Sequence, residues 1–121
     1  MLFGTSGVSR ERRDELAAFQ KQAGVRFKSI ELLNRALTHR SRTNEDPSRN
    51  ENNERLEFLG DAVLGMVTAS YLYRMLPDRA EGELARVKSF VVSEDTLSEL
   101  ALGLGIDKAL LIGKGEEQSG G

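Results

Sequence analysis

Residues 53–65 read Asn-Glu-Arg-Leu-Glu-Phe-Leu-Gly-Asp-Ala-Val-Leu-Gly. No proline interrupts the chain from here until Pro77, and the spacing predicts a long helix from about Asn53 to Met75. With about 100° per residue and Glu54 at zero, Glu57 falls at about 300° and Asp61 at about 340°. Three carboxylates therefore share one face. Leu56, Leu59, Val63 and Val67 fall at about 200°, 140°, 180° and 220°, an opposite stripe expected to face the core.

Like charges at i,i+3 or i,i+4 repel by roughly a few tenths of a kcal/mol per exposed pair. Arg55, at about 100°, compensates only partly. A hard divalent cation offsets that repulsion. Mg²⁺ takes oxygen ligands, keeps several waters and commonly uses one or two carboxylates plus phosphate oxygens. Glu57 and Asp61, at i,i+4, suit a shared metal. The plainer reading is a solvated acidic face near a helix N-terminus, where acids are favoured anyway. Two details weigh against it. Phe58 falls at about 40°, beside the acids, where an aromatic reads as an interface anchor. Gly60 and Gly65 each cost about 1 kcal/mol against Ala inside a helix, which suggests close approach by another backbone or a partner.

Outward from this helix the pattern stays helical. Ser9 caps a first helix carrying Leu16, Ala17 and Phe19 and ending near Gly24. Ser29 caps a second, with Ile30, Leu33, Ala36 and Leu37 at helical spacing. Residues 41–53 are polar, contain Pro47 and read as a mobile loop. A fourth helix is predicted over Glu83–Val92. Ser93 caps a fifth that fades at Gly103-Leu104-Gly105, and the tail from Gly113 reads as loop. The expected fold class is all-α, as one domain over residues 1–121.

Composition narrows the function classes. A hydrophobic fraction of 39% supports one modest core and argues against wholesale disorder. The chain has no Cys and a single His, which excludes thiolate zinc sites, cysteine nucleophiles and multi-histidine metal centres. No apolar run is long enough to span a bilayer. Charge is divided along the chain. Residues 10–42 hold nine Lys/Arg against four Asp/Glu, and residues 43–121 hold eight against fifteen. Such asymmetry hints at a polyanionic partner, although two solvated faces explain it equally well. The lone His39 reads as a hydrogen-bonded structural residue, with Thr38 and Ser41 ending the second helix.

The stretch Asn53–Leu64, NERLEFLGDAVL, resembles the signature of the ribonuclease III family, divalent-metal endonucleases that cut double-stranded RNA. Ala36–Ser41, ALTHRS, resembles that family's upstream segment. Glu81-Gly82-Glu83 with Ala85-Arg86 is similar to its next helix start. Gly113-Lys114-Gly115-Glu116 through Ser119-Gly120-Gly121 resembles a loop of the G-x-G-E…SGG type.

The resemblance implies an all-α ribonuclease III endonuclease-type domain working as a homodimer; the lack of Cys makes the cytoplasm the default expectation, and the lack of a spanning run leads us to expect no membrane association. The resemblance also implies Mg²⁺-dependent hydrolysis of double-stranded RNA in rRNA and mRNA processing, with Mn²⁺ as a substitute metal and 5′-phosphate and 3′-hydroxyl ends. By the same resemblance, Asp61 is a catalytic carboxylate and Glu57 holds metal with it. Glu54 lines the same cleft, Glu81 and Glu116 are further candidate cleft acids, and Phe58 enters a socket on a second subunit. Arg35, Arg40 and Arg42 of the basic segment are candidates for phosphate contact.

Departures are few. Asn52 stands where the family usually has His, and Ala62 replaces a commoner Ser. The family completes its metal site with an Asp and a Glu, three residues apart, beyond the SGG loop. The sequence stops at Gly121, before them, and lacks a double-stranded-RNA-binding domain. The chain alone is therefore expected to bind Mg²⁺ weakly, to cut poorly and to leave apolar surface exposed. The rival expectation is a non-catalytic RNA-binding or dimerisation module on the same scaffold, and a more distant one is a helical module whose acidic face meets a basic protein.

Overall fold

Three serines set the helix starts. The side chains of Ser9, Ser29 and Ser93 accept the backbone N–H groups of Arg12, Leu32 and Thr96, each satisfying a donor that the first turn leaves unpaired. The structure, a computed structural model, describes residues 7–45 and 51–114. Among the described residues it is all-helical: α1 Arg10–Ala23, α2 Ile30–Ala36, α3 Arg40–Glu45, α4 Glu54–Met75, α5 Glu81–Val91, α6 Glu94–Leu104 and α7 Ile106–Ala109. The helices predicted from Ser9, Ser29 and Ser93 form as expected. So does the long helix, which ends before Pro77.

Two elements were not predicted. Residues 40–45 form α3 rather than part of a loop. That run has no apolar periodicity to announce a helix; polar bonds hold it, such as Thr43 Oγ1 donating to the Arg40 carbonyl at 2.9 Å. The four-residue α7 follows Gly105, which ends α6 at φ +79° and begins α7. A Cβ at Gly105 would lie 2.6 Å from Gln22 Oε1 as well as in the left-handed region. Gly105→Ala is expected to lower stability by about 1–2 kcal/mol in a urea melt. A change below about 0.3 kcal/mol would show the α6–α7 corner to be slack.

The core is small and lies among α1, α2 and α7. Leu16, Phe19, Leu33, Leu37 and Ala109 are buried together, with Val8, Ala23, Ile30 and Ile106 packed against them. Ala17 and Ala36, expected on the same stripes, face solvent. An isolated parallel bridge joins Thr38 to Leu111. In it the Leu111 N–H donates to the Leu37 carbonyl, and the His39 N–H to the Leu111 carbonyl, both at 2.8 Å. The His39 ring supports this join. Its Nδ1 accepts the Ser41 N–H at 3.1 Å, and Ser41 Oγ accepts the Gly113 N–H at 2.8 Å. The structural reading of His39 matches this arrangement.

Helix α4 packs mainly on α5, and α5 reaches the core elements through α6. Its buried residues are Thr68 and Leu72. The predicted core stripe behaves otherwise. Leu59, Val63 and Val67 are 59%, 48% and 55% exposed, and Leu56 is only half-buried. The periodicity identified the apolar face correctly but not its cover: α5 lies on the other side, against the face that continues the acidic edge. The expected exposed apolar surface is present.

Candidate functional site

The acidic edge of α4 is fixed by the residues just before it. The Asn53 N–H donates to the Thr38 carbonyl at 2.9 Å and its side-chain Nδ2 to the Ala36 carbonyl at 3.1 Å. Asn52 Oδ1 accepts the Glu54 N–H at 3.0 Å while its Nδ2 donates to Thr43 Oγ1 at 3.1 Å. Asn52, a departure from the expected His, thus caps the first turn of α4 and ties it to α3. The Glu57 N–H donates to the Asn53 carbonyl at 2.7 Å, so the first acidic turn is anchored on α2 and α3.

On that turn the three expected acids part company. Glu54 Oε2 lies 3.4 Å from Arg40 Nη1. Glu57 and Asp61 are exposed, and among the described residues neither side chain has an ion-pair or hydrogen-bond partner. Two carboxylates one turn apart in solvent, with no cation paired to them among the described residues, are a poor structural device and a ready donor set. Among the described residues no three His, Asp or Glu side chains converge into a metal-sized group. The pair by itself fits Mg²⁺, which uses one or two carboxylates and fills its shell with water and phosphate.

Glu81 is not brought to this pair. The 76–80 turn folds α5 back along α4, and the Lys88 side chain lies beside Gly65. Glu81 opens α5 seven residues earlier, about 10 Å further from Asp61 along the bundle. Glu116 lies outside the described residues.

Of the basic candidates, Arg35 pairs with Glu51 at 2.8 Å and Arg40 with Glu54. Both pairs are solvent-facing and worth at most about 1 kcal/mol, so phosphate can compete for either arginine. The Arg42 side chain is half-buried beside Ser9, Glu11 and Arg12. Phe58 is 83% exposed and stands on the wall of an open groove with Arg35, Glu54, Leu56 and Leu59. The close approach by another backbone expected at Gly60 and Gly65 is not found among the described residues: a Cβ at Gly65 would stand in ordinary van der Waals contact with the Lys88 side chain, 3.7 Å away, and nothing stands within 4 Å of a Cβ at Gly60. Lys88 carried no sequence signal. A single lysine late in a helix reads as surface until the fold sets it against α4.

Residues 29–121 match the Ribonuclease-III-like family model. Over 116 residues the chain is 56% identical to Ribonuclease 3 of Treponema denticola, and over 118 residues 53% identical to Ribonuclease 3 of Treponema pallidum. Each alignment covers 96% of this chain and 47% or 46% of the relative, so the chain spans about half the length of those relatives. Among solved structures, the nuclease domain of ribonuclease III from Campylobacter jejuni superposes with a TM-score of 0.76 at 36% identity. That superposition covers 84% of this chain and 68% of the other, a structure described for flexibility in a region involved in dimer formation. A helical fold of the ribonuclease III nuclease type and a family model matching three-quarters of the sequence lead to one conclusion: the chain belongs to the ribonuclease-III-like family.

Proposed function

We propose that the protein carrying this chain is a Mg²⁺-dependent endoribonuclease that hydrolyses phosphodiester bonds of double-stranded RNA, leaving 5′-phosphate and 3′-hydroxyl ends, and that it acts in RNA processing. The observation that carries this is the pair Glu57 and Asp61, exposed one turn apart on α4 and without a cationic partner among the described residues, in a chain of this family.

Glu57 and Asp61 would hold the metal. When bound there, Mg²⁺ lowers the pKa of a coordinated water and stabilises the charge on the leaving oxygen. The protein's own part is positioning. The Asn52 and Asn53 bonds fix the register of the first turn of α4, so both carboxylates project from a rigid helix rather than a loop. Glu54, turned toward Arg40, keeps that guanidinium beside the acidic edge, where it is available to a phosphate. Duplex RNA suits such a surface, because it is recognised mostly by shape and by phosphate and 2′-OH contacts. Incubating the full-length protein with a long RNA duplex tests the reading. Cleavage with Mg²⁺ or Mn²⁺ and none with EDTA is expected, and intact RNA in all three would overturn it.

The same proposal includes a homodimer joined through Phe58. An aromatic ring left 83% exposed beside Leu59 supports an interface anchor. Phe58→Ala in the full-length protein is expected to weaken self-association by at least about 30-fold, equivalent to the ~2 kcal/mol of an interface hot spot. Sedimentation velocity reads this directly. An unchanged dimerisation constant would remove Phe58 from the interface.

A further inference from the structure

We propose that Lys88 is a phosphate-gripping residue of the RNA site, lying against α4 at Gly65 next to the acidic pair. The inference rests on the Glu57–Asp61 reading above and extends it to a second helix.

A Cβ at Gly65 would lie 3.7 Å from both Cε and Nζ of Lys88, so the end of that side chain passes over the α4 backbone where no side chain intervenes. Gly65 follows Asp61 by four residues and shares its face. Cβ positions so related are about 5–6 Å apart, which places Lys88 Nζ within about 10 Å of the Asp61 Cβ. The ammonium forms no ion pair within 4 Å: among the described residues Lys88 has no salt-bridge or hydrogen-bond partner. The unpaired ammonium of a half-buried lysine thus stands at the border of an unpaired carboxylate pair, within about one Debye length of it. A metal held by the carboxylates would, together with this ammonium, present adjacent positive charge to a polyanionic strand. A lysine is a compact point charge with three donors, suited to a phosphate oxygen rather than to reading a base.

Two structural duties compete with this role. The aliphatic stem covers the gap at Gly65, and the charge sits in the last turn of α5, where it complements the helix C-terminus. Neither duty predicts an effect on RNA binding. Lys88→Met keeps the stem and removes the charge, and Lys88→Arg keeps both.

The test uses the full-length protein and an RNA duplex in EDTA, where no cleavage occurs, with affinity measured across a range of salt concentrations. For Lys88→Met the slope of log K against log salt is expected to be shallower by about 0.9, the loss of one phosphate contact, and Lys88→Arg is expected to restore it. An unchanged slope with Lys88→Met overturns the proposal. If that variant melts at a lower temperature, Lys88→Gln is measured in its place and read in the same way. Wild-type protein that neither binds nor cuts the duplex would instead sink the nuclease reading. Wild-type binding and cleavage with an unmoved slope in the variants sinks only the role of Lys88.

Discussion

Replacing Asp61 by Asn is expected to reduce duplex-RNA cleavage by the full-length protein by more than about 10²-fold while leaving its folding intact. The loss follows from removing one of the two carboxylates available to hold Mg²⁺, and electrostatic groups of that kind contribute on this scale or above it. The intact fold follows from the surroundings. Asp61 is exposed and among the described residues has no ion-pair or hydrogen-bond partner to lose. Its nearest acidic neighbour is Glu57 at i,i+4, a repulsive relation, so neutralising it is worth roughly a few tenths of a kcal/mol in favour of the helix. A melting temperature equal to or slightly above the wild type's, together with lost cleavage, separates a functional carboxylate from a structural one. This is the pattern of a site held at a small cost in stability for the sake of activity. Duplex binding in EDTA should persist, because phosphate contacts come from the cationic side chains. Retained cleavage would disprove the assignment outright.

How much of this was legible in the sequence depended on the range of the interaction. The three serine caps and the stop before Pro77 act within one turn of their own residue, and all of them could be read directly. The placement of Glu57 and Asp61 on one edge is equally local. What escaped was whatever needs a second element. Helix α3 is a polar hexamer whose Thr43 is bonded by Asn52, nine residues on, so no periodicity betrays it. Leu59, Val63 and Val67 form a true apolar stripe, but a stripe does not say which helix covers it, and α5 takes the other face. Glu81 looked like a site acid through its resemblance and lies about two turns of helix beyond Lys88. Lys88 was invisible for the converse reason: its neighbour Gly65 is remote in sequence. An interior glycine such as Gly65 is costly and visible locally, but that the Lys88 side chain lies against it is set by another helix.

Leu16→Ala is the substitution expected to cost the most stability. Leu16 is 0% exposed and is the largest fully buried side chain of the described residues. Burial of this completeness puts the loss at about 2.7–5 kcal/mol, the transfer term of the deleted atoms plus the cavity left behind. The upper part of that range applies because the partners, Phe19, Leu33, Leu37 and Ala109, come from three helices and the connecting residue before Thr38, and cannot all collapse inward at once. Domains of this size have about 5–15 kcal/mol in total, so the variant should unfold at markedly lower urea. The contrast with α4 makes the prediction discriminating. Val63→Ala, at 48% exposure, removes methyl groups that are half in water already and should cost far less unless another segment or subunit covers them. The acidic edge depends on Leu16 only indirectly, through Leu37 and the Thr38–Leu111 bridge to the Asn53 anchor. Leu16→Ala protein that remains folded at low temperature should therefore still cleave duplex RNA, with activity lost in step with the melting transition. A fall in activity well below that transition would mean that the core sets the geometry of α4 directly rather than merely keeping its anchor folded.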